Sequence, residues 1–132
     1  MKYMLLMHAS ASIDAPPIHT WGPAEIAAHI QFMHDTNAKL VANGEFVEAQ
    51  GLTGPDEAKI VRAGRTGTPE VTDGPFPESK EFLAGYWVLD VDSEARAIEV
   101  AAAISLAPGP GGAPLNLPIE VRQIMSAPPA DA

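Results

Sequence analysis

Two side chains stand where a proton could be moved. His8 closes the apolar run Met4-Leu5-Leu6-Met7, and histidine is the side chain suited to carrying a proton near neutral pH. At the end of a strand it would sit where pockets open, as a general base; the competing reading is an ordinary hydrogen-bonded strand-end histidine. Asp73 opens Asp73-Gly74-Pro75-Phe76-Pro77. A carboxylate held in a tight turn can accept a proton or orient a base. Turn formation alone also explains it, with Asp bonding its own backbone, Gly74 supplying unusual dihedrals and Phe76 anchoring the loop.

Four further residues are candidates for binding. Asn37 falls inside the apolar stripe of a predicted helix, where a buried amide needs partners: it either bonds sheet backbone or lines a cavity under the helix. Lys80, in the run Glu78-Ser79-Lys80-Glu81, could meet an anionic group or form a rim ion pair. Tyr86 precedes Trp87, and both read most simply as core or dimer-interface aromatics. Arg122 could hold a carboxylate or pair across strands with Glu120. His29 and His34 lie about 140° apart around a helix and cannot chelate one metal together; they read as solvated boundary residues.

Other chemistries find no support. There is no cysteine, which removes disulfides, thiolate catalysis and Cys-based zinc sites. No Gly-x-Gly-x-x-Gly, phosphate loop, Gly-x-Ser-x-Gly or His-x-x-x-His occurs, so no nucleotide cofactor is expected, and no ligand spacing points to a metal. The formal charge is −9, from 8 basic and 17 acidic residues. Without a Lys/Arg cluster, that field disfavours nucleic acid and anionic membrane surfaces. No run approaches the roughly 20 apolar residues of a membrane helix, and the N-terminal apolar run is too short for a signal peptide. The expectation is a cytoplasmic protein.

The elements that must position these residues follow from pattern. Residues 2–8 predict a strand and residues 9–22, with Pro16, Pro17 and Gly22, a loop holding His19 and Trp21. Pro23 suits a first helical turn. Ile26, Ile30, Met33, Asn37, Leu40 and Val41 keep helical spacing up to the stop Asn43-Gly44, which predicts a helix over 23–43. Residues 45–51 predict a strand. Residues 58–63 and 69–72 flank Gly64-Arg65-Thr66-Gly67 as a β-hairpin arm. Residues 82–91 give the strongest strand signal. Asp92 or Ser93 caps a helix that buries Ala97, Val100, Ala101 and Ile104. Residues 118–125 form a last strand. A single domain over 1–126 is expected, with 127–132 a frayed tail.

Strand, helix, strand, arm, strand, helix, strand is the order of an α+β, ferredoxin-like antiparallel sheet with two helices on one face and a β-hairpin insertion. Both faces of the first strand and of 82–91 are largely apolar. Helices on one side leave the other side to be covered, which predicts a homodimer.

Glu70-Val71-Thr72-Asp73-Gly74-Pro75-Phe76-Pro77-Glu78-Ser79-Lys80-Glu81, continued by Gly85-Tyr86-Trp87, resembles the signature of the YCII-related, DGPF-domain family. The N-terminal strand, Asn43-Gly44-Glu45, Val61-Arg62 and Ile119-Glu120-Val121-Arg122 extend the similarity over nearly the whole chain. The resemblance implies pairing into a dimeric α+β barrel. Some YCII-like relatives carry a His–Asp pair in a cleft; their histidine opens the first helix, where this chain reads Pro23-Ala24-Glu25-Ile26, so that dyad does not transfer to His29 or His34. Two functions are therefore expected. One is a small cofactor-independent enzyme using acid–base chemistry on a small organic molecule, with its site between helix and sheet near His8, Asn37 and Asp73. The alternative is a non-catalytic binding or regulatory module, since some family members are encoded beside sigma-factor genes.

Overall fold

A computed structural model describes residues 1–10, 18–74 and 81–125. The order is β1 (Lys2–Ser10), α1 (Pro23–Ala42), β2 (Phe46–Gly51), β3 (Lys59–Arg62), β4 (Glu70–Asp73), β5 (Glu81–Asp90), α2 (Glu94–Ser105) and β6 (Ile119–Gln123). Four strands make an antiparallel sheet in the order β2-β5-β1-β6, and β3 and β4 form a separate two-stranded arm. This is the expected α+β, ferredoxin-like arrangement with its hairpin insertion.

The helices begin and end for local reasons. Gly22 N–H donates to Glu25 Oε1 at 3.0 Å as α1 opens on Pro23. At the other end Gly44 takes a φ of 72°, which only glycine adopts without penalty. Its N–H bonds the Val41 carbonyl while the Glu45 N–H bonds that of Leu40, the paired closure that satisfies a helix's last carbonyls. In α2 the Ser93 hydroxyl accepts from the Arg96 N–H at 3.1 Å, as its capping role predicts.

One face of the sheet carries the core. Tyr3, Leu5, Trp87, Leu89 and Val91 pack with Leu40 from α1 and with Ala97, Val100, Ala101 and Ile104 from α2. The four α2 residues are those its periodicity selects. The α1 stripe is narrower than expected, because Ile30 and Val41 are exposed. At 100° per residue they lie about 40° and 60° round from Ile26, on the same edge of the stripe, and that edge turns to solvent. The Asn37 amide finds a side-chain partner: its Oδ1 accepts from Trp87 Nε1 at 2.9 Å. An indole N–H can only donate, so a buried Trp87 needs such an acceptor.

α1 also clasps the loop after α2. The His29 Nδ1–H donates to the Pro108 carbonyl at 3.0 Å and its ring meets Trp21 edge-on at 5.5 Å. Glu25 Oε2 accepts from the Gly111 N–H. His29 is therefore part of the packing, unlike the exposed His34. Arg96 bonds both oxygens of Glu45 at 2.9 Å, tying α2 to the start of β2. A depression of about 510 Å³ beside this pair is lined also by Asn43, Asp90 and Asp92, and the N-terminal ammonium meets Asp90 at 3.1 Å.

No helix among the described residues is long and apolar enough to cross a membrane.

Leu89 and Ile104 are almost wholly buried. Leu89→Ala or Ile104→Ala should each lose about 2–5 kcal/mol of stability in urea unfolding, whereas Val61→Ala on the exposed arm should change it by less than about 0.5 kcal/mol. Arg96 lowers the pKa of Glu45, chiefly by hydrogen bonding, below the ordinary 4.5. Stability from this pair is present above pH 4.5 and is lost as the pH falls through the lower folded-state value. In thermal melts from pH 7 to 3, Glu45→Gln should lower the melting temperature at neutral pH and flatten its fall in acid; an unchanged acid limb would contradict the assignment.

Candidate functional site on the sheet face opposite the helices

The second face of the sheet is set by the register. β1 pairs with β5 through Met4↔Val88 and Leu6↔Tyr86, and with β6 through Met4↔Arg122 and Leu6↔Glu120. β2 adds Glu48↔Val88 and Gln50↔Tyr86. Residues paired in this way share a face. Opposite the helices the sheet therefore presents an apolar centre of Met4, Leu6 and Val88, flanked by Glu48 and Gln50 on one edge strand and by Glu120 and Arg122 on the other. Both described helices lie on the other side.

His8 stands at one end of this face. The β1–β5 register shifts between Met7 and His8, with Met7 opposite Gly85 and His8 opposite Leu83, so Ala84 is the extra residue. Such bulges redirect a strand locally and are frequent beside functional sites. His8 Nε2 lies 2.9 Å from Glu120 Oε1, with the imidazole 27% and the carboxylate 46% exposed. An ionised carboxylate only accepts, so Nε2 is the donor in this contact. Arg122 Nε is 3.8 Å from the other oxygen of Glu120, and its side chain is 70% exposed. The Arg122–Glu120 contact runs along β6 and not across strands as expected. Residues two apart share a face, and the residue across from Glu120 is Leu6, next but one to His8.

Tyr86 donates its hydroxyl to Glu48 Oε1 at 2.9 Å. That bond, then partial burial, then the Glu48 charge raise the phenol's pKa, so it stays a protonated donor. The face thus holds a histidine with an orienting carboxylate, a phenol oxygen held by Glu48 and a guanidinium, which is equipment for moving a proton and fixing a small polar molecule.

The other expected site residues lie elsewhere. Asn37 is on the helix side, bound to Trp87. Asp73 is the last residue of β4; it lies opposite Lys59, whose Nζ is 2.5 Å from its Oδ1, and its side chain is 84% exposed. This cross-strand ion pair extends the arm by one residue beyond what Gly74-Pro75 suggested, and Lys59 lowers the Asp73 pKa by hydrogen bond and charge. The expected convergence of His8, Asn37 and Asp73 between helix and sheet does not occur, because they belong to the open face, the helix face and the arm. Lys80 and Phe76 lie outside the described residues. Sequence reasoning did not assign Glu120 to His8 or Glu48 to Tyr86. The only signal was the alternation of Glu120 and Arg122 with the inward Ile119 and Val121, which gives the face but not the register. Among the described residues no group of three histidines or carboxylates comes together as a metal cluster.

No curated protein matches the chain. The model of the YCII-related domain matches residues 1–112, from β1 through α2 and the turn that follows; His8 lies inside this span, and Glu120 and Arg122 beyond it. The match covers most of the molecule and agrees with its α+β, ferredoxin-like sheet: the protein belongs to the YCII-related domain family.

Proposed function

We propose that the protein is a homodimer, joined through the uncovered sheet faces as a dimeric α+β barrel, and that it is a small cofactor-independent enzyme using acid–base chemistry on a small organic molecule. The observation that carries this reading is the 2.9 Å contact of His8 Nε2 with Glu120, at the end of an apolar face. Glu120 orients the ring. His8 Nδ1 is the base. The Tyr86 oxygen, its proton held by Glu48, accepts from a donor group of the substrate, Arg122 anchors an anionic group, and Met4, Leu6 and Val88 receive its apolar body. Covering the face with a second copy excludes water and strengthens each of these interactions. Asp73 stays an ion pair of the arm in this reading, and Asn37 a support for Trp87.

A second reading is favoured by the polar groups Glu48, Gln50, Glu120 and Arg122 around the apolar centre of the face: a non-catalytic small-molecule-binding or regulatory module, of the kind the family's sigma-factor neighbourhoods imply. Its signature is stoichiometric binding without turnover.

Proton exchange at carbon separates the two readings across a panel of compound classes. Small ketones, keto acids and lactones are incubated with the protein in D2O, and loss of their C–H signals is followed by NMR. The wild type should accelerate exchange in one class of compound. His8→Gln should reduce that rate by about 10²–10⁴-fold, and Glu120→Gln by less. Binding with exchange at the buffer rate supports the second reading. Full exchange activity in a folded His8→Gln variant removes His8 as the base.

A further inference from the structure

The polar groups of this face stand at its two sides, and their spacing selects what fits between them. In register from β2 through β5 and β1 to β6, one row reads Glu48, Val88, Met4, Arg122, and the next reads Gln50, Tyr86, Leu6, Glu120. Tyr86 gives its proton to Glu48, which draws the phenol toward the β2 edge and into the first row. His8 and Arg122 both lie against Glu120, at 2.9 and 3.8 Å, which holds them together on the β6 side. Tyr86 on β5 and Arg122 on β6 are two strand spacings, or about 10 Å, apart across β1. Met4, Leu6 and Val88 fill the space between.

Each feature restricts the ligand. Arg122 is 70% exposed and 3.8 Å from Glu120, too long for a close charged hydrogen bond, so its N–H groups are open to an incoming anion. In these two rows it is set against the carboxylates of Glu48 and Glu120, in a chain of formal charge −9. A singly charged carboxylate suits one guanidinium in that field, and a phosphate dianion does not. The Tyr86 oxygen has its proton on Glu48 and is left to accept, so the far end of the ligand carries a donor such as a hydroxyl. The middle is apolar and includes Met4, and a thioether packs well against an aromatic ring. His8 and Arg122 share Glu120, so a carbon presented to His8 stands within a few bonds of a carboxylate held by Arg122. A C–H bond there is acidic enough for a histidine when a carbonyl adjoins it.

We infer that the substrate is an aryl oxo acid: its carboxylate on Arg122, the acidic methylene beside its carbonyl at His8, its ring over Met4, Leu6 and Val88, and a hydroxyl on the far side of the ring donating to the Tyr86 oxygen. The inference rests on the reading of His8 as the base and adds to it the substrate class. In the step, the methylene C–H bond breaks and His8 takes the proton. The electron pair of that bond forms the C=C of an enolate as the carbonyl π pair moves to oxygen. Return of a proton to carbon restores the oxo acid, and return to oxygen gives the enol.

A compound series tests the class without any variant. 4-Hydroxyphenylpyruvate, phenylpyruvate, pyruvate and 4-hydroxyphenylacetone are compared in D2O for loss of the C–H signals beside the carbonyl, each rate taken relative to the buffer rate of the same compound, and for binding by ligand-observed NMR. 4-Hydroxyphenylpyruvate should show the largest acceleration. Loss of its hydroxyl should cost about 3–10-fold, and loss of its carboxylate about 10–100-fold. Arg122→Gln should shrink the preference for 4-hydroxyphenylpyruvate over 4-hydroxyphenylacetone by about tenfold or more. Tyr86→Phe made together with Glu48→Ala should remove the preference over phenylpyruvate, with far-UV circular dichroism establishing that both variants fold. A larger acceleration for pyruvate or the ketone, or preferences that do not move in the folded variants, overturns the substrate class while leaving His8 as the base. Binding in the predicted order with the predicted dependence on Arg122, but exchange at the buffer rate, supports the ligand class and removes the enzyme reading. Neither binding nor exchange of 4-hydroxyphenylpyruvate overturns the inference, whichever other compound exchanges.

Discussion

The pairing of β1 with β5 is the constraint on which the rest of the molecule depends. These central strands run antiparallel from Lys2↔Asp90 to Ser10↔Glu81. Side chains in a strand alternate, so this one register decides which residues meet the helices and which do not. A slip of β5 by one residue against β1 would send Trp87 and Leu89 to the outside and Tyr86 and Val88 to the core. The buried interaction that opposes such a slip is polar. Trp87 can satisfy its indole N–H on Asn37 only from the helix side, and a buried donor left unpaired is expensive. The polar residue inside the apolar stripe of α1 thus locks register and helix position together.

The same register creates the open face. Strands apolar on both sides suit a sheet covered on both sides, yet α1 and α2 cover one. The residues on the other side are graded, apolar at the centre and charged at the two edges. That is the layout of an interface with a polar rim, and it brings His8, Tyr86 and Arg122 onto one surface. The bulge at Ala84 sits beside His8, where the strand's regular repeat is broken at the residue best suited to chemistry.

Much of the fold was legible because it is written in local signals. Pro23 and Asn43-Gly44 bound α1, Ser93 caps α2, and the spacing of Ala97, Val100, Ala101 and Ile104 picks out the buried side of α2. The two-sided apolar character of β1 and β5 was equally plain. What sequence could not supply was register between distant strands. His8 and Glu120 are 112 positions apart, and nothing near either fixes their alignment; the same holds for Tyr86 with Glu48 and Asn37 with Trp87. The expected cluster of His8, Asn37 and Asp73 failed for this reason: each residue was placed in its own element correctly enough, but the elements put them on different surfaces. Asp73 lies one residue further along the arm than its pattern suggested. Gly74-Pro75 reads as a turn, and a cross-strand lysine held the preceding aspartate in the ladder.

The central claim is that this open face meets a second copy of itself. A one-to-one mixture of ¹³C-labelled and unlabelled protein, examined by isotope-filtered nuclear Overhauser spectroscopy, tests it directly. The account predicts cross-chain contacts from the Met4 methyl group to Met4, Leu6 or Val88 of the other copy. Contacts that instead join the exposed edge of α1, or none from Met4 under conditions in which the protein is dimeric, would contradict it.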